Sequence, residues 1–341
     1  MIWIGLDVHK SFTTMGLFDP ATGELRELGN VPTGQQELTE ALGRLPGAKT
    51  VVLEAGRKSH WVAGMLEPCA QAVWMVDPLE VRRLQGRQPK TDRRDAAALA
   101  RWAAKGALTP LWRPEAETMD LRELTRGRIA LVRMEAKLRN MIRSLCARHG
   151  QEPPKGDLLS EKLQAWLEGV KLGGYAGRML ALLRGLLPVL QAAADSLTQP
   201  VEQEAKAHPQ ARRLMTIPGI GPVLGLTIAV EVGDILRFPS PANLRSYSGL
   251  CPRVSASGGR THTGPLTKSG NRWLRWAAVL AAQQIANKSK VDPRLKRLLN
   301  RVAFRHGRNP AKVAVARALL DLLWHLLTKE EDWRPPLAQA A

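Results

Sequence analysis

Two short apolar runs near the start of the chain each close on a carboxylate, and two further carboxylates share one alanine-rich stretch. Met1-Ile2-Trp3-Ile4-Gly5-Leu6 ends at Asp7, and Val51-Val52-Leu53 ends at Glu54. Runs this short and this apolar read as buried strands. Asp92 and Asp95 lie in Lys90-Thr91-Asp92-Arg93-Arg94-Asp95-Ala96-Ala97-Ala98-Leu99-Ala100, whose alanines favour helix. Residues three apart share a helix face, so one turn offers two carboxylates while two strand ends offer one each. Hard cations such as magnesium bind clustered oxygens of this kind.

The pattern around these acids predicts strands over 2–8, 12–18, 24–30, 50–54 and 72–76, with Thr22-Gly23 as a turn, and helices over 35–45 and 91–105. Three early strands in hairpin order, then helix–strand–helix–strand–helix, give an α/β domain with a mixed sheet flanked by helices. That order matches a ribonuclease-H-like (RuvC-like) domain, assigned to residues 1–112. In that fold metal ligands come from the first strand, the middle of the sheet and a late helix, the three places where the four acids fall.

Residues 113–208 change character. Leu121 to Leu145 keeps apolar residues at helical spacing with charges between them, Pro153-Pro154 and Gly173-Gly174 interrupt it, and a second helical stretch covers about 176–206. Two long amphipathic segments with a break between them predict a helical or coiled-coil arm, a structural element or oligomer contact. Residues 209–341 make a third, mainly α-helical region. It opens on Ile217-Pro218-Gly219-Ile220-Gly221, which resembles a helix–hairpin–helix element, where glycines let backbone amides approach a phosphate.

Charge bounds the partners. Lys and Arg total 50 against 31 Asp and Glu, a net +19, which points to a polyanion and first of all to nucleic acid. Arg260 to Arg317 holds fourteen Lys or Arg against the single acid Asp292. Solvated faces usually mix signs, so this tract, with Arg260, Lys268, Arg272, Arg275, Lys288, Lys290, Arg297 and Arg301, is expected to track phosphates. Trp273 and Trp276 within it are expected to serve the core, with base stacking as the alternative. Membrane insertion is not expected, since charged or amide residues interrupt the apolar stretches. Asp7 breaks the first apolar run too early for a signal peptide. Cys69, Cys146 and Cys251 lack zinc spacing and suit reduced thiols.

Ser257 precedes two glycines and Arg260 in Ser255-Ala256-Ser257-Gly258-Gly259-Arg260. It reads as a loop serine able to approach a phosphate. It is not the elbow serine of hydrolases, and no histidine is placed for a hydrolase triad.

Taken together these segments resemble the DEDD transposases of bacterial insertion sequences, the IS-one-ten group, also called Piv/MooV-like recombinases. The resemblance spans nearly the whole chain. It rests on Gly5-Leu6-Asp7-Val8-His9-Lys10, Leu53-Glu54-Ala55, Lys90 to Ala96, Ile217 to Gly221, Tyr247-Ser248-Gly249-Leu250-Cys251-Pro252, Ser257-Gly258-Gly259 and Thr267-Lys268-Ser269-Gly270-Asn271, in that order. Glu231 and Asp234 fit the same pattern and are taken as structural. The resemblance implies that Asp7, Glu54, Asp92 and Asp95 are catalytic and hold Mg2+. It implies that Ser257 is the nucleophile, forming a 5′-phosphoserine link to DNA. It also implies a structured guide (bridge) RNA pairing with donor and target DNA. Ser257 and the acids lie far apart in sequence and must meet by folding back or between subunits; the helical arm favours the second, a homo-oligomer (dimer or tetramer), and the expected location is the bacterial cytoplasm, at the nucleoid when active. Arg260 is the candidate for neutralising the attacked phosphate, and His262 or a metal-activated hydroxide for the base. Two rivals stand beside this: a RuvC-like junction resolvase using water as nucleophile, and a non-catalytic nucleic-acid-binding protein.

Overall fold

β1 (Ile2–Val8) and β2 (Phe12–Phe18) form an antiparallel hairpin, and β3 (Leu25–Pro32) pairs with the outer edge of β2. After α1 (Gln35–Gly43), β4 (Lys49–Glu54) joins β1 in parallel. After α2 (Ser59–Leu66), β5 (Ala72–Val76) joins β4 in parallel. Parallel neighbours need a crossover, which the two helices supply. The strand order β3-β2-β1-β4-β5 puts β1 in the middle of the sheet. α3 (Pro78–Gln85) and α4 (Asp92–Ala104) follow. The computed structural model describes residues 1–86, 92–257, 260–286 and 292–335. The chain divides into two compact units, Met1–Arg113 and Pro114–Ala341. The first is this mixed α/β sheet, compatible with a ribonuclease-H-like domain, and the remainder is mostly helical.

Strand alternation sends residues to two differently covered faces. Ile4, Leu6, Met15, Leu17, Val51, Leu53 and Met75 pack with Leu38 and Leu42 of α1 and Val62 and Leu66 of α2. On the other face Trp3, Phe18, Val52 and Val76 pack with Leu99, Ala100 and Ala103 of α4. Gly5 and Gly16 pair across β1 and β2 on that second face. A Cβ on Gly5 would lie 1.9 Å from the Ala96 carbonyl oxygen, and one on Gly16 2.2 Å from the Ala97 nitrogen. The missing side chains let the helix backbone settle directly on the sheet. Lys49, buried at the start of β4, donates from Nζ to the carbonyls of Leu42 and Leu45 at 2.9 and 2.8 Å, and so closes the C-terminal end of α1.

The second unit begins with α5 (Ala116–Arg148), α6 (Glu161–Gly169) and α7 (Gly174–Ser196), which share a small core of Leu138, Ile142, Leu145, Leu163, Leu167, Leu180, Leu183 and Leu187. α8 (Thr198–Ala207), α9 (Pro209–Met215), α10 (Pro222–Val232) and α11 (Pro241–Ser248) come next. Then follow β6 (Pro252–Ser257), β7 (Arg260–Leu266), α12 (Arg272–Ala286), α13 (Pro293–His306) and α14 (Arg308–Lys329). α10 is buried continuously from Leu224 to Val232 and forms the centre of the larger core.

Three features depart from the sequence expectation. The single helix expected over 176–206 is broken at Leu197, because Pro200 has no N–H to give and crowds the carbonyl four residues earlier. α6 fills part of the expected break. The expected loop at Ser257 is instead the end of a strand in a two-stranded ribbon. By length and composition Gly174–Ala207 would also pass as a membrane span, since an 18-residue window within it has mean hydropathy 1.3. The sequence expectation is of no span, and Leu180, Leu183 and Leu187 of this stretch are buried against α5 and α6.

Candidate active site

In the first unit, Asp7 and Glu54 follow Leu6 and Leu53, which are register partners on parallel neighbours. The two acids therefore stand side by side, one residue further on, on the face opposite Leu6 and Leu53. That is the face α4 covers. Ala96 lies directly over Gly5, two residues before Asp7, so the first turn of α4 lies on β1 close to that acid. Asp95 is half-buried in that turn. Asp92 is the first residue of α4, and its side chain lies outside the described residues. The polar row continues outward. Asp7 pairs with Thr14 of β2, and Thr14 with Asn30 of β3, where Thr14 Oγ1 donates to Asn30 Oδ1 at 3.0 Å.

His9 extends this cluster. Its Nε2 lies 3.2 Å from Asp7 Oδ2, with both side chains about one-third exposed (37% and 34%). The ring leans on Phe12 at 4.6 Å. Sequence reasoning passed over His9, although a histidine two residues beyond a strand-end acid was visible. The Gly56–Ser59 turn is closed by Ser59 Oγ, which donates to Gly56 O at 2.9 Å and accepts from Gly56 N at 3.0 Å. Lys58 Nζ donates to Lys10 O at 2.7 Å, tying the segments after β4 and β1 together. The donor set is of the oxygen type that suits a hard divalent ion. Among the described residues no three His, Cys, Asp or Glu side chains already form a closed ion-binding group.

In the second unit, Ser257 and Arg260 form the pair that closes the β6–β7 ribbon, and Ser255 pairs with His262 two positions along. Pleating puts positions 255, 257, 260 and 262 on one side of the ribbon. The side chains of Ser257, Arg260 and His262 lie outside the described residues. The base of the ribbon is held closely. Thr267 N donates to Cys251 O at 2.9 Å, and Asn271 N to Tyr247 O at 2.6 Å. Arg275 donates to the carbonyls of Ser248 and Lys268 at 3.0 and 3.1 Å, so this arginine of the basic tract braces the loop. Lys268 is exposed and holds φ at 51°, a left-handed conformation that costs a non-glycine residue of order 1 kcal/mol or more. Gly249 and Gly270, with φ of 69° and 111°, allow the close crossing. A Cβ on Gly249 would lie 2.4 Å from Ser269 O, and one on Gly270 2.3 Å from Tyr247 O.

Beneath this crossing lies a carboxylate with no solvent exposure, Glu231. Arg126 Nε and NH2 donate to its two oxygens at 2.7 and 2.8 Å, and Asn271 Nδ2 donates to Oε2 at 2.7 Å. Arg122 donates to the carbonyls of Val230 and Glu231 at 2.8 and 3.2 Å. The two arginines respond differently. Burial outweighs Glu231 and pushes Arg122 down from the ordinary arginine value. Burial also opposes the charge on Arg126, but its forked hydrogen bond to Glu231 carries it upward. A lone acid in the apolar run Pro222–Val232 was the available sign of a buried ion pair.

The expected nucleic-acid ligands fall into three groups. Lys268, Arg272, Arg297 and Arg301 are exposed. Arg275 is committed to backbone carbonyls. Lys288 and Lys290 lie outside the described residues. Trp276 is half-buried and packs against the larger core as expected, Trp273 is half-buried without that contact, and Arg133 stacks over both at 5.0 and 5.1 Å, with Arg272 over Trp273 at 5.0 Å. Burial and the neighbouring Arg272 push Arg133 below the ordinary arginine value, the mark of cations crowded together. On the helix-turn segment, Gly219 (φ 98°) packs against Ile285 of α12, where a Cβ would lie 3.1 Å from Cγ1, and Gly221 starts α10.

Comparison with known proteins bears on both units. Residues 4–149 match the DEDD transposase domain of the IS110 type, and residues 211–303 match the domain described as "Transposase IS116/IS110/IS902 family". The chain is similar to the transposase for insertion sequence element IS1111A of Coxiella burnetii, 30% identical over 83% of this chain and 79% of that protein. It is 27% identical to a probable family 20 transposase of Pseudomonas aeruginosa, over 84% and 86% of the two chains. It is 25% identical to the transposase for insertion sequence element IS1328 of Yersinia enterocolitica, over 86% and 87%.

Proposed function

The chain belongs to the IS116/IS110/IS902 family of DEDD transposases and is a DNA transposase of an insertion sequence, and from that premise we propose a serine-based, RNA-guided course for its reaction. The family implies use of a divalent metal. Mg2+ is the ion proposed, held by Asp7, Glu54, Asp92 and Asp95. When bound, it supplies charge neutralisation on the oxygens of the scissile phosphate.

Ser257 is the proposed nucleophile. Its Oγ attacks phosphorus and an O–P bond forms. The bond to the 3′ oxygen breaks, and the serine proton ends on the released 3′-hydroxyl. The 5′ end is then held as a phosphoserine ester, which keeps the bond energy, so attack by a 3′-hydroxyl rejoins strands without ATP. His262 is the proposed proton acceptor and Arg260 the group opposite the phosphate charge. What carries this reading is the Ser257–Arg260 pair at the closed end of a ribbon whose base is clamped by Asn271, Glu231 and Arg126. A nucleophile benefits from such rigid support.

The guide RNA and the donor and target DNA are the proposed cargo of the basic tract, with the Gly219–Gly221 turn proposed as a helix–hairpin–helix-like phosphate contact. The helical arm is proposed as a coiled-coil contact between copies, giving a dimer or tetramer. Tyr175, Met179, Leu182, Leu186 and Val189 are exposed on α7 and spaced four and three apart in alternation, the repeat of a coiled-coil seam. Ser257→Ala tests the course of the reaction. It is expected to abolish a denaturation-resistant protein–DNA adduct while DNA binding survives. An adduct formed by that variant would remove Ser257 from the role.

A further inference from the structure

The solvent face of α13 ends on a large aromatic side chain that packs on almost nothing. Phe304 is 93% exposed. The inner face of the helix uses Leu295, Leu298 and Leu299 against the core. The outer face repeats Arg294, Arg297, Arg301 and Phe304 at intervals of three and four, so the ring shares a stripe with three arginines. Arg305 and Arg308 flank it at the corner where α13 turns through Gly307 (φ 85°) into α14, and residues 304–310 are all exposed. Isolated exposed apolar residues are ordinary, but this one crowns a cationic row.

Counter-charge is confined to the start of that row, where Arg294 lines a pocket with Asp292, Glu330, Glu331 and Asp332. No acid occurs between Asp292 and Asp321. Asp292 Oδ1 accepts from Arg294 N at 2.7 Å as the cap of α13, and Asp321 is paired with Arg245 of α11. The outer part of the stripe, Arg297 and Arg301 beside Phe304, lies away from these acids and calls for an anionic occupant that also has an apolar face for the ring. A protein partner would meet Phe304 with an apolar pocket and the arginines with acids. A nucleic-acid strand meets both at once, through phosphates spaced along the stripe and a base at its end.

We propose that Phe304 is a base-stacking residue at the end of a phosphate-tracking stripe of Arg297 and Arg301, and that its ligand is an unpaired stretch of single-stranded DNA. The proposal rests on the reading of the chain as a DNA transposase, whose strand exchange exposes unpaired DNA. Duplex DNA hides its base faces in the stack, so the ring discriminates between the two forms.

The test uses the full chain with a short single-stranded DNA carrying a fluorescent aminopurine, and the same sequence as a duplex. Wild type is expected to quench the base on binding. Phe304→Leu is expected to lose the quench and weaken single-strand affinity by about 5- to 150-fold, leaving duplex affinity and the melting temperature unchanged. Phe304→Trp is expected to keep both quench and affinity. Equal single-strand affinity for wild type and Phe304→Leu overturns the proposal. So does an equal loss on single strand and duplex, or a change in sedimentation with DNA binding intact, which would mark a protein contact. Adduct formation by Ser257 does not depend on this ring, so failure of the stacking proposal and failure of the transposase chemistry are told apart by the adduct assay.

Discussion

Asn271 donates its side-chain amide to Glu231 Oε2 at 2.7 Å, across 40 residues of sequence, while its Oδ1 accepts from the N–H groups of Trp273 and Leu274 at 2.9 and 3.0 Å. One side chain thus joins a buried carboxylate to the cap of α12, at the point where the chain leaves the Ser257 ribbon. Arg126 completes the carboxylate, and Tyr247 OH lies 3.1 Å from the same amide nitrogen. The ribbon's base is therefore fixed by charge-assisted hydrogen bonds in a water-poor setting, where they are strong and where losing one is costly.

Glu231→Gln is expected to destabilise the second unit by about 3–5 kcal/mol, because it strands the Arg126 charge and part of the Arg122 charge inside the protein. Urea unfolding measures this. Replacing Glu231 and Arg126 together by apolar residues of similar volume is expected to recover most of the loss, since the stranded charge goes with its partner. A single-variant loss below about 1 kcal/mol, the level of a surface ion pair, would show that water reaches the network.

Gly5→Ala is expected to destabilise the first unit by about 1–3 kcal/mol, the usual cost of overpacking. Its Cβ would meet the Ala96 carbonyl oxygen at 1.9 Å, backbone that cannot step aside without lifting α4. Since α4 carries Asp92 and Asp95, divalent-ion affinity is expected to fall as well. Gly64→Ala in α2, where a Cβ meets nothing within 4 Å, is the matched control. It is expected to stabilise by about 0.5–1 kcal/mol. If both variants melt alike, the close seat of α4 on β1 is wrong.

Much of the first unit was legible in the sequence because burial there follows simple periods. The runs ending at Asp7 and Glu54 are apolar on both faces, as a strand between two helical layers must be, and all five expected strands match the structure within two residues. The Ser257 ribbon was not legible for the opposite reason. Pro252–Ser257 and Arg260–Leu266 form an isolated pair with Val254 exposed, so they carry no alternation and read as a glycine-containing loop. Glu231 showed itself as an acid in an apolar run, but its partners lie 105 and 40 residues away, and no local pattern encodes that distance. The break at Leu197 was legible in principle from Pro200.

The exposed seam on α7 makes a prediction about assembly. Leu182→Glu with Leu186→Glu is expected to shift the chain toward monomer in sedimentation equilibrium, with helix content unchanged. Leu180, Leu183 and Leu187 on the other face hold α7 to its own core, so the fold has no need of the substituted residues. An unchanged mass would mean that copies meet elsewhere.

His208 gives a pH dependence of defined sign. It closes the gap between α8 and α9, and its Nδ1 accepts from Ala211 N at 3.4 Å as the cap of α9. Burial lowers its pKa below the ordinary 6.5, against the opposing pull of Glu117 and Glu204. The unfolded chain then binds its proton before the folded one does. Stability is full above the ordinary value and falls as pH drops through it toward the folded value. Unfolding free energy is expected to decrease between about pH 7.5 and 5.5, and His208→Asn, which keeps a capping acceptor without the titration, is expected to show a shallower decrease. Parallel curves would assign the slope to other groups.

The proposed ion site can be tested without any DNA. An ion that binds only the folded chain raises its melting temperature by mass action, by about 2.7 kcal/mol of stability at a hundredfold excess over its dissociation constant. Asp7 and Glu54 sit side by side on one face of β1 and β4, a spacing at which a divalent cation can bridge two carboxylates. Mg2+ is therefore expected to raise the melting temperature of the first unit, and a chelator to reverse the rise. Asp7→Asn is expected to remove most of the Mg2+ effect. His9→Ala removes the imidazole 3.2 Å from Asp7 Oδ2 but no carboxylate, and it is expected to keep the response to Mg2+. An equal Mg2+ response in wild type and Asp7→Asn would take Asp7 out of the metal site, whatever the cleavage assays show.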